Sequence, residues 1–428
     1  MIGIKEGSGK APQRAFAARK MALEWIEGGV AAPQGFSASG EHLGIRRNRE
    51  KRDVALIVSE KRAAAAACYT QNLVQGAPIA VTKAHIADGY ARAMICNSGN
   101  ANTCNANGVE IAEGMCELVQ THLHIPVRDV IVASTGVIGQ PMSLTPYEQG
   151  MAKLCAGLQG NPAGGTAAAE AIMTTDTVTK EAAVSFQADG HTVKLGGMAK
   201  GSGMICPNMA TMLCFLTTDA AIEPALLQKA MTNVVQDTFN MLSVDGDTST
   251  NDMVSILANG SAGNPIIDAE GTAFAALEEA LRCVCEKLCR MMAKDGEGAT
   301  KLLVCNVTGS GDKETAKIVA KSVIKSSLLK AAVFGADANW GRVLCAIGYS
   351  GAALDIAKID VDFESAAGTI AVCRQGAGVD FDEDYAKKIL LADEINVNVN
   401  LHSGNAAATA WGCDLTYDYV KINGDYRT

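Results

Sequence analysis

The sequence has no uninterrupted apolar stretch long enough to cross a bilayer, and no secretory hydrophobic segment. Neither a spanning helix nor export is expected, and the chain reads as cytoplasmic. It also lacks an excess of basic residues. Lys and Arg number 37 against 46 Asp and Glu, a net charge of −9 that excludes nucleic acid as a main partner. The local basic run Arg46, Arg47, Arg49, Lys51, Arg52 contains Glu50 and reads as a solvated loop. No proline-rich hinge, low-complexity linker or internal repeat divides the 428 residues.

Disulfide and metal frameworks are missing as well. Fourteen cysteines are spread thinly over a long chain and read as reduced, mostly buried thiols. Cys283, Cys285 and Cys289 lie in a helix-patterned segment without histidine, where Cys285 and Cys289 simply share a face, so no metal is expected. Three motifs fail on inspection. GSGK at 7–10 has Ile4 where a phosphate loop needs glycine and Ala11 where it needs Ser or Thr. GSGDKE at 309–314 puts Glu314 at the third glycine position of a dinucleotide site. DGDTSTND at 245–252 puts Ser249 and Thr250 where a calcium loop needs an acid or Asn and a glycine. Each is read as a turn.

What is present is a mixed α/β pattern. With 48% hydrophobic residues and 43 glycines, the chain reads as globular and rich in turns. VALIV at 54–58, RAMICNSGN at 92–100 and VIVASTGVIG at 130–139 read as buried strands ending in polar or glycine loops. Helices are expected over 108–123, 272–294 and 314–332, and a strand over 302–311. Residues 1–27 carry five basic residues, but Glu6, Glu24 and Glu27 argue against an organellar presequence and for a dispensable helical extension.

The densest chemical signal is KGSGMICPNMATMLCFLTTDA at 200–220, a glycine-loosened, proline-stiffened loop that runs into Thr211 and a strand-like segment. Cutting the Ala210–Thr211 bond would make Thr211 a new N-terminus. Its hydroxyl would then share a residue with an α-amine of pKa about 7.7–8.0, a self-contained nucleophile and base. Self-cleavage would proceed by attack of the Thr211 hydroxyl on the Ala210 carbonyl, an N-to-O shift and hydrolysis of the ester. Gly201 and Gly203 permit unusual backbone angles there, and Pro207 restricts the approach. STGVIG at 134–139 can expose a hydroxyl and a backbone N–H together, as an oxyanion site requires, although alone it reads as a tight loop. Glu297 lies between glycines in DGEGATK, either paired with a cation or exposed.

In combination these segments resemble the ornithine acetyltransferase family, also called glutamate N-acetyltransferases, of arginine biosynthesis. The resemblance runs from GGVAAPQGF at 28 to the final residue through NSGNAN, STGVIG, TTDT, KGSGMICPNMATML, VDGDTSTND, DGEGATK, ADANWGR and AWGCDLTYDYVKINGDYRT. It implies a layered α/β sandwich, autoprocessed between Ala210 and Thr211 into intertwined chains of residues 1–210 and 211–428. In that scheme residues 1–27 are an extension, and two copies of each chain form a heterotetramer. Thr211 would be the nucleophile, with Thr135 and Gly136 stabilising the oxyanion. Substrate would be met by Thr177, Lys200, Thr211, Glu297, Asn423 and Thr428. The implied reaction moves acetyl from N2-acetyl-L-ornithine to L-glutamate through an acetyl-threonine, with no cofactor and no metal, and leaves acetyl-CoA open as a second donor. Cys104 departs from the family pattern after NSGNAN and leaves the local loop shape undetermined.

Two other readings are separable by experiment. An aminopeptidase or amidase of similar architecture would resolve the same intermediate with water, independently of glutamate. An amino-acid-binding or scaffold protein would stay uncut.

Overall fold

The structure is a computed structural model and describes residues 23–206 and 212–424. Ala210, Thr211 and Thr428, with Pro207, lie outside the described residues. In chain order the strands are β1 (Glu24–Ile26), β2 (Phe36–Glu41), β3 (Val54–Tyr69), β4 (Tyr90–Asn100), β5 (Val130–Val137), β6 (Lys180–Ala188), β7 (His191–Lys200), β8 (Leu213–Thr218), β9 (Leu242–Ser243), β10 (Met253–Ala258), β11 (Leu302–Ser310), β12 (Asp360–Ser365), β13 (Gly368–Arg374), β14 (Ala377–Gly378), β15 (Glu394–Asn400) and β16 (Ala406–Cys413). The helices are α1 (Ala77–His85), α2 (Gly108–Leu123), α3 (Thr145–Ala156), α4 (Pro162–Ile172), α5 (Pro224–Asp237), α6 (Thr272–Lys294), α7 (Lys313–Lys325), α8 (Ser327–Phe334), α9 (Trp340–Gly348), α10 (Glu383–Leu390) and α11 (Tyr417–Asn423).

Among the described residues one sheet runs β1-β6-β7-β8-β10-β3-β4-β5, with β2 pairing the first half of β3. The second runs β14-β13-β12-β15-β11-β16-β9. In the first sheet β8 and β10, from beyond residue 211, are inserted between β7 and β3, from before residue 210. The two segments are thus intertwined through backbone hydrogen bonds, as the sandwich expectation required.

Alternation along the strands separates the layers. On β8, Cys214 and Leu216 face the core shared with α5, α6 and the second sheet, while Leu213 and Phe215 face the core under α4. Helix α6 carries the layer between the sheets, touching β6 and β7 on one side and β11 and β16 on the other. Its buried Leu277, Leu281, Val284, Cys285, Leu288 and Met292 repeat at helical spacing, which is why two of the cysteines proposed by spacing to share a face are core thiols. A third core lies between α1, α2, α3 and the β4–β5 pair.

Three expectations change. Residues 24–26 are an edge strand on β6, in register Trp25 to Val184, so the last part of the expected helical extension belongs to the sheet. Strand β3 continues past residue 58 through the alanine run at 63–67, a helix-forming composition held extended by β4 on one side and β10 on the other. The expected helix over 314–332 breaks at Ser326, whose hydroxyl accepts from Leu329 N (3.3 Å) and restarts the chain as α8.

Candidate functional site

Strands β7 and β8 are antiparallel neighbours whose last pair is Lys200 with Leu213. The chain therefore leaves the sheet and re-enters it at the same point, and both stems of the connection are pinned. Gly201 N donates to Asp176 Oδ1 (2.7 Å), and Glu297 N donates to Ser202 O (2.8 Å). Met204, at φ +52°, and Ile205 give their backbone N–H groups to the Asp245 carboxylate (2.6 and 2.9 Å). Thr248 Oγ1 donates to Cys206 O (2.8 Å), and on the far stem Met253 N donates to Met212 O (3.0 Å). The turn at 245–252 is the clamp on this connection.

Next to it, β4 and β5 run parallel with Gly99 opposite Gly136, one step before their last pair, Asn100 with Val137. Gly136 has φ +136°, and a Cβ there would overlap the backbone of Gly99 and Asn100. Thr135 is half-buried beside it. The pair is locked to the clamp by Asn251, whose side-chain amide donates to Ser134 O (3.0 Å) and Ala101 O, while its carbonyl accepts from Thr103 Oγ1 (2.5 Å).

A buried charge network backs the pocket. Lys180 Nζ bridges Asp176 Oδ1 (2.6 Å) and Asp295 Oδ2 (2.5 Å). Burial opposes ionisation of Asp176, but Lys200 and Lys180 together overcome it and hold the carboxyl well below the usual carboxylate range. Burial also lowers the Lys200 ammonium from its ordinary value, opposed by Asp176 and Asp252. Thr177 gives its N–H to Asp295 Oδ2 (3.0 Å) and its hydroxyl to Asp295 Oδ1. At this corner Thr174 and Thr175 line the pocket.

The opposite wall is Glu297, 8% exposed, which accepts from Asn423 Nδ2 on α11 (2.7 Å). A Cβ on Gly203 would overlap the Glu297 carboxylate, so this glycine makes room for the acid. The enclosed volume is about 130 Å³, lined among others by Thr135, Gly136, Lys200, Glu297 and Asn423. A cation and an anion on one small cavity fit a ligand that carries both charges, with a neutral donor pair beside them.

The ArgJ family model matches residues 37–428. This chain belongs to the ArgJ family. It is 49% identical over 408 residues to the arginine biosynthesis bifunctional protein ArgJ of Symbiobacterium thermophilum, covering 95% of this chain and 100% of that protein. Among solved structures it is similar to the ArgJ protein of Bacillus halodurans, at 46% identity and TM-score 0.47 over 49% of this chain and 97% of that one. It is also similar to the ornithine acetyltransferase of Mycobacterium tuberculosis complexed with ornithine, at 36% identity and TM-score 0.41 over 44% of this chain and 100% of that one.

Of the residues expected from sequence in this ArgJ chain, Thr135, Gly136, Lys200, Glu297 and Asn423 come together on one cavity. Thr177 is exposed and tied to Asp295, one step outside that lining. Thr211 and Thr428 lie outside the described residues, although Met212, next to Thr211, lines the cavity. Sequence reasoning passed over Asp176, Lys180, Asp245, Asn251 and Asp295. The signal was present in part, since Asp176, Asp245, Asn251 and Asp295 sit inside the quoted segments TTDT, VDGDTSTND and DGEGATK.

Proposed function

We propose that this ArgJ chain cleaves itself between Ala210 and Thr211 and then transfers acetyl from N2-acetyl-L-ornithine to L-glutamate through an acetyl ester on Thr211. The observation that carries the reading is the convergence of Lys200, Glu297 and the Thr135–Gly136 pair on one cavity at the stem of the 201–212 connection. The family and its arginine-biosynthesis relatives support the pathway.

In the first half-reaction the Thr211 hydroxyl attacks the acetyl carbonyl, and its own α-amine takes the proton and passes it to the departing ornithine amine. The Thr135 hydroxyl and Gly136 N–H stabilise the oxyanion. Lys200 meets the substrate carboxylate, and Glu297, held by Asn423, meets the distal ammonium of ornithine. In the second half-reaction the glutamate amine attacks the ester and regenerates the hydroxyl. Acetyl moves only between amide and ester, so this exchange needs no cofactor. The reading includes an assembly of two N-terminal and two C-terminal chains in the cytoplasm.

The test is acetylornithine consumption with and without glutamate. Ornithine release coupled to acetylglutamate formation is expected, and equal acetate release in both conditions would instead identify a hydrolase.

A further inference from the structure

Asp245 has no part in the acetyl-transfer steps and does not line the pocket, yet its carboxylate is fully engaged. Its Oδ2 accepts from Met204 N (2.6 Å) and from the Tyr419 hydroxyl on α11 (3.3 Å), and its Oδ1 accepts from Ile205 N (2.9 Å) and Asp247 N (3.2 Å). The backbone adds to the grip. Val244 N donates to Ile205 O (2.7 Å), and Ile205 pairs with Thr248 in an antiparallel bridge. What is gripped is a left-handed methionine, since Met204 has φ +52°. That angle carries a steric cost for any side chain that glycine avoids. Met204 is 45% exposed, so side-chain packing contributes little to imposing it.

We propose that Asp245 is a positioning residue for self-cleavage: by holding Met204 in the left-handed conformation it directs the chain leaving β7 toward the Ala210–Thr211 bond. The inference rests on the self-cleavage reading and adds a residue that acts before the new N-terminus exists. Two arguments carry it. Lys200 pairs with Leu213, so the connection leaves and returns at one place, and its far stem is fixed by the bond from Met253 N to Met212 O (3.0 Å). The direction of the first stem is then what remains to be set, and a carboxylate that accepts from two consecutive N–H groups sets it with contacts stronger than neutral ones. The second argument is conformational. Intramolecular attack gains from every rotation fixed beforehand, whereas a methionine without this hold returns to the right-handed or extended region and turns the chain elsewhere. In the cleavage the Thr211 oxygen bonds to the Ala210 carbonyl carbon, the C–N bond breaks with the hydroxyl proton going to the nitrogen, and water splits the resulting ester.

The experiment follows full-length chains made by cell-free synthesis and times their conversion to residues 1–210 and 211–428 on denaturing gels. Asp245→Asn replaces one acceptor oxygen by a donor and should slow the conversion roughly tenfold or more, the effect of one lost charge-assisted contact. Rescue separates positioning from a merely structural role. Adding Met204→Gly, which takes the left-handed angle freely, should restore the slowed rate several-fold, whereas adding Met204→Ala, which loses the same side chain but keeps the steric cost, should restore nothing. With Asp245 intact, Met204→Gly should change little, because the angle is already held; equal gains in both backgrounds would make the two sites independent and overturn the proposal. A wild-type cleavage rate in Asp245→Asn would overturn it, as would no restoration by Met204→Gly or equal restoration by Met204→Ala. Wild-type chains that never cut would remove the self-cleavage reading itself, while wild type and Asp245→Asn cutting alike would remove this inference alone.

Discussion

Asn423 on the C-terminal helix donates its side-chain amide to Glu297 Oε2 across 2.7 Å, joining residues 126 positions apart into one wall of the pocket. Glu297→Gln keeps an acceptor for Asn423 and removes only the charge that the proposed function assigns to the substrate ammonium. A charge-assisted hydrogen bond is worth about 1.5–3 kcal/mol, so KM for acetylornithine should rise roughly 10- to 100-fold. The melting temperature should be nearly unchanged. Steady-state kinetics checks the first and a thermal melt the second.

Gly136→Ala combines a left-handed backbone angle with an overlap against Gly99. The variant should lose at least about 1–3 kcal/mol of stability and nearly all transfer activity. Gly203→Ala should spare the β4–β5 pair and act through displacement of Glu297, so its defect should resemble that of Glu297→Gln. Parallel kinetics and melts of the two glycine variants distinguish these effects.

Asp176→Asn leaves Lys180 and Lys200 buried with less counter-charge, a loss of about 3–5 kcal/mol. The sign of its pH dependence follows from the depressed carboxyl. Stability contributed by the wild-type group is complete above the unfolded value near pH 4 and disappears as the pH falls through the lower folded value. Thermal melts from neutral pH into acid should therefore show the gap between wild type and variant narrowing below about pH 4.

Lys200 titrates below an ordinary lysine because burial opposes its charged form; Asp176 and Asp252 recover part of that shift, and Lys180 and Arg46 work against them. Its charged form costs folding stability below that lowered value, and the cost is relieved as pH rises through it. The carboxylate contact proposed for Lys200 needs the charged form. KM should consequently climb on the alkaline side before the ordinary lysine range near 10.4, and the same profile should be flat and high in Lys200→Met.

The sequence made much of this legible because several elements announce themselves locally. Helix α6 has an apolar stripe at helical spacing, and β5 ends in the glycine turn that places Thr135 and Gly136. What could not be read locally depends on partners far along the chain. The alanine run in β3 is strand because β4 and β10, the latter almost two hundred residues later, pair with it. Asp245 looks like part of a failed calcium loop until the stem at 204–205 closes on it. Lys180 lies four residues after Asp176, a spacing visible in sequence, yet its importance comes from Asp295 arriving on the other side. The basic run at 46–52 is exposed at 47–51, as its composition suggests, but the anchoring of its loop beside Gly99 by Asp53 could not be read locally.

The most direct test of the account is intact mass measurement of active protein before and after addition of acetylornithine. The expected spectrum contains two chains, residues 1–210 and 211–428, with an acetyl adduct on the second that maps to Thr211 and is discharged by glutamate. In Thr211→Ala a single uncut chain without adduct is expected. Active wild-type protein that remains one intact polypeptide and gains no acetyl group would contradict the account.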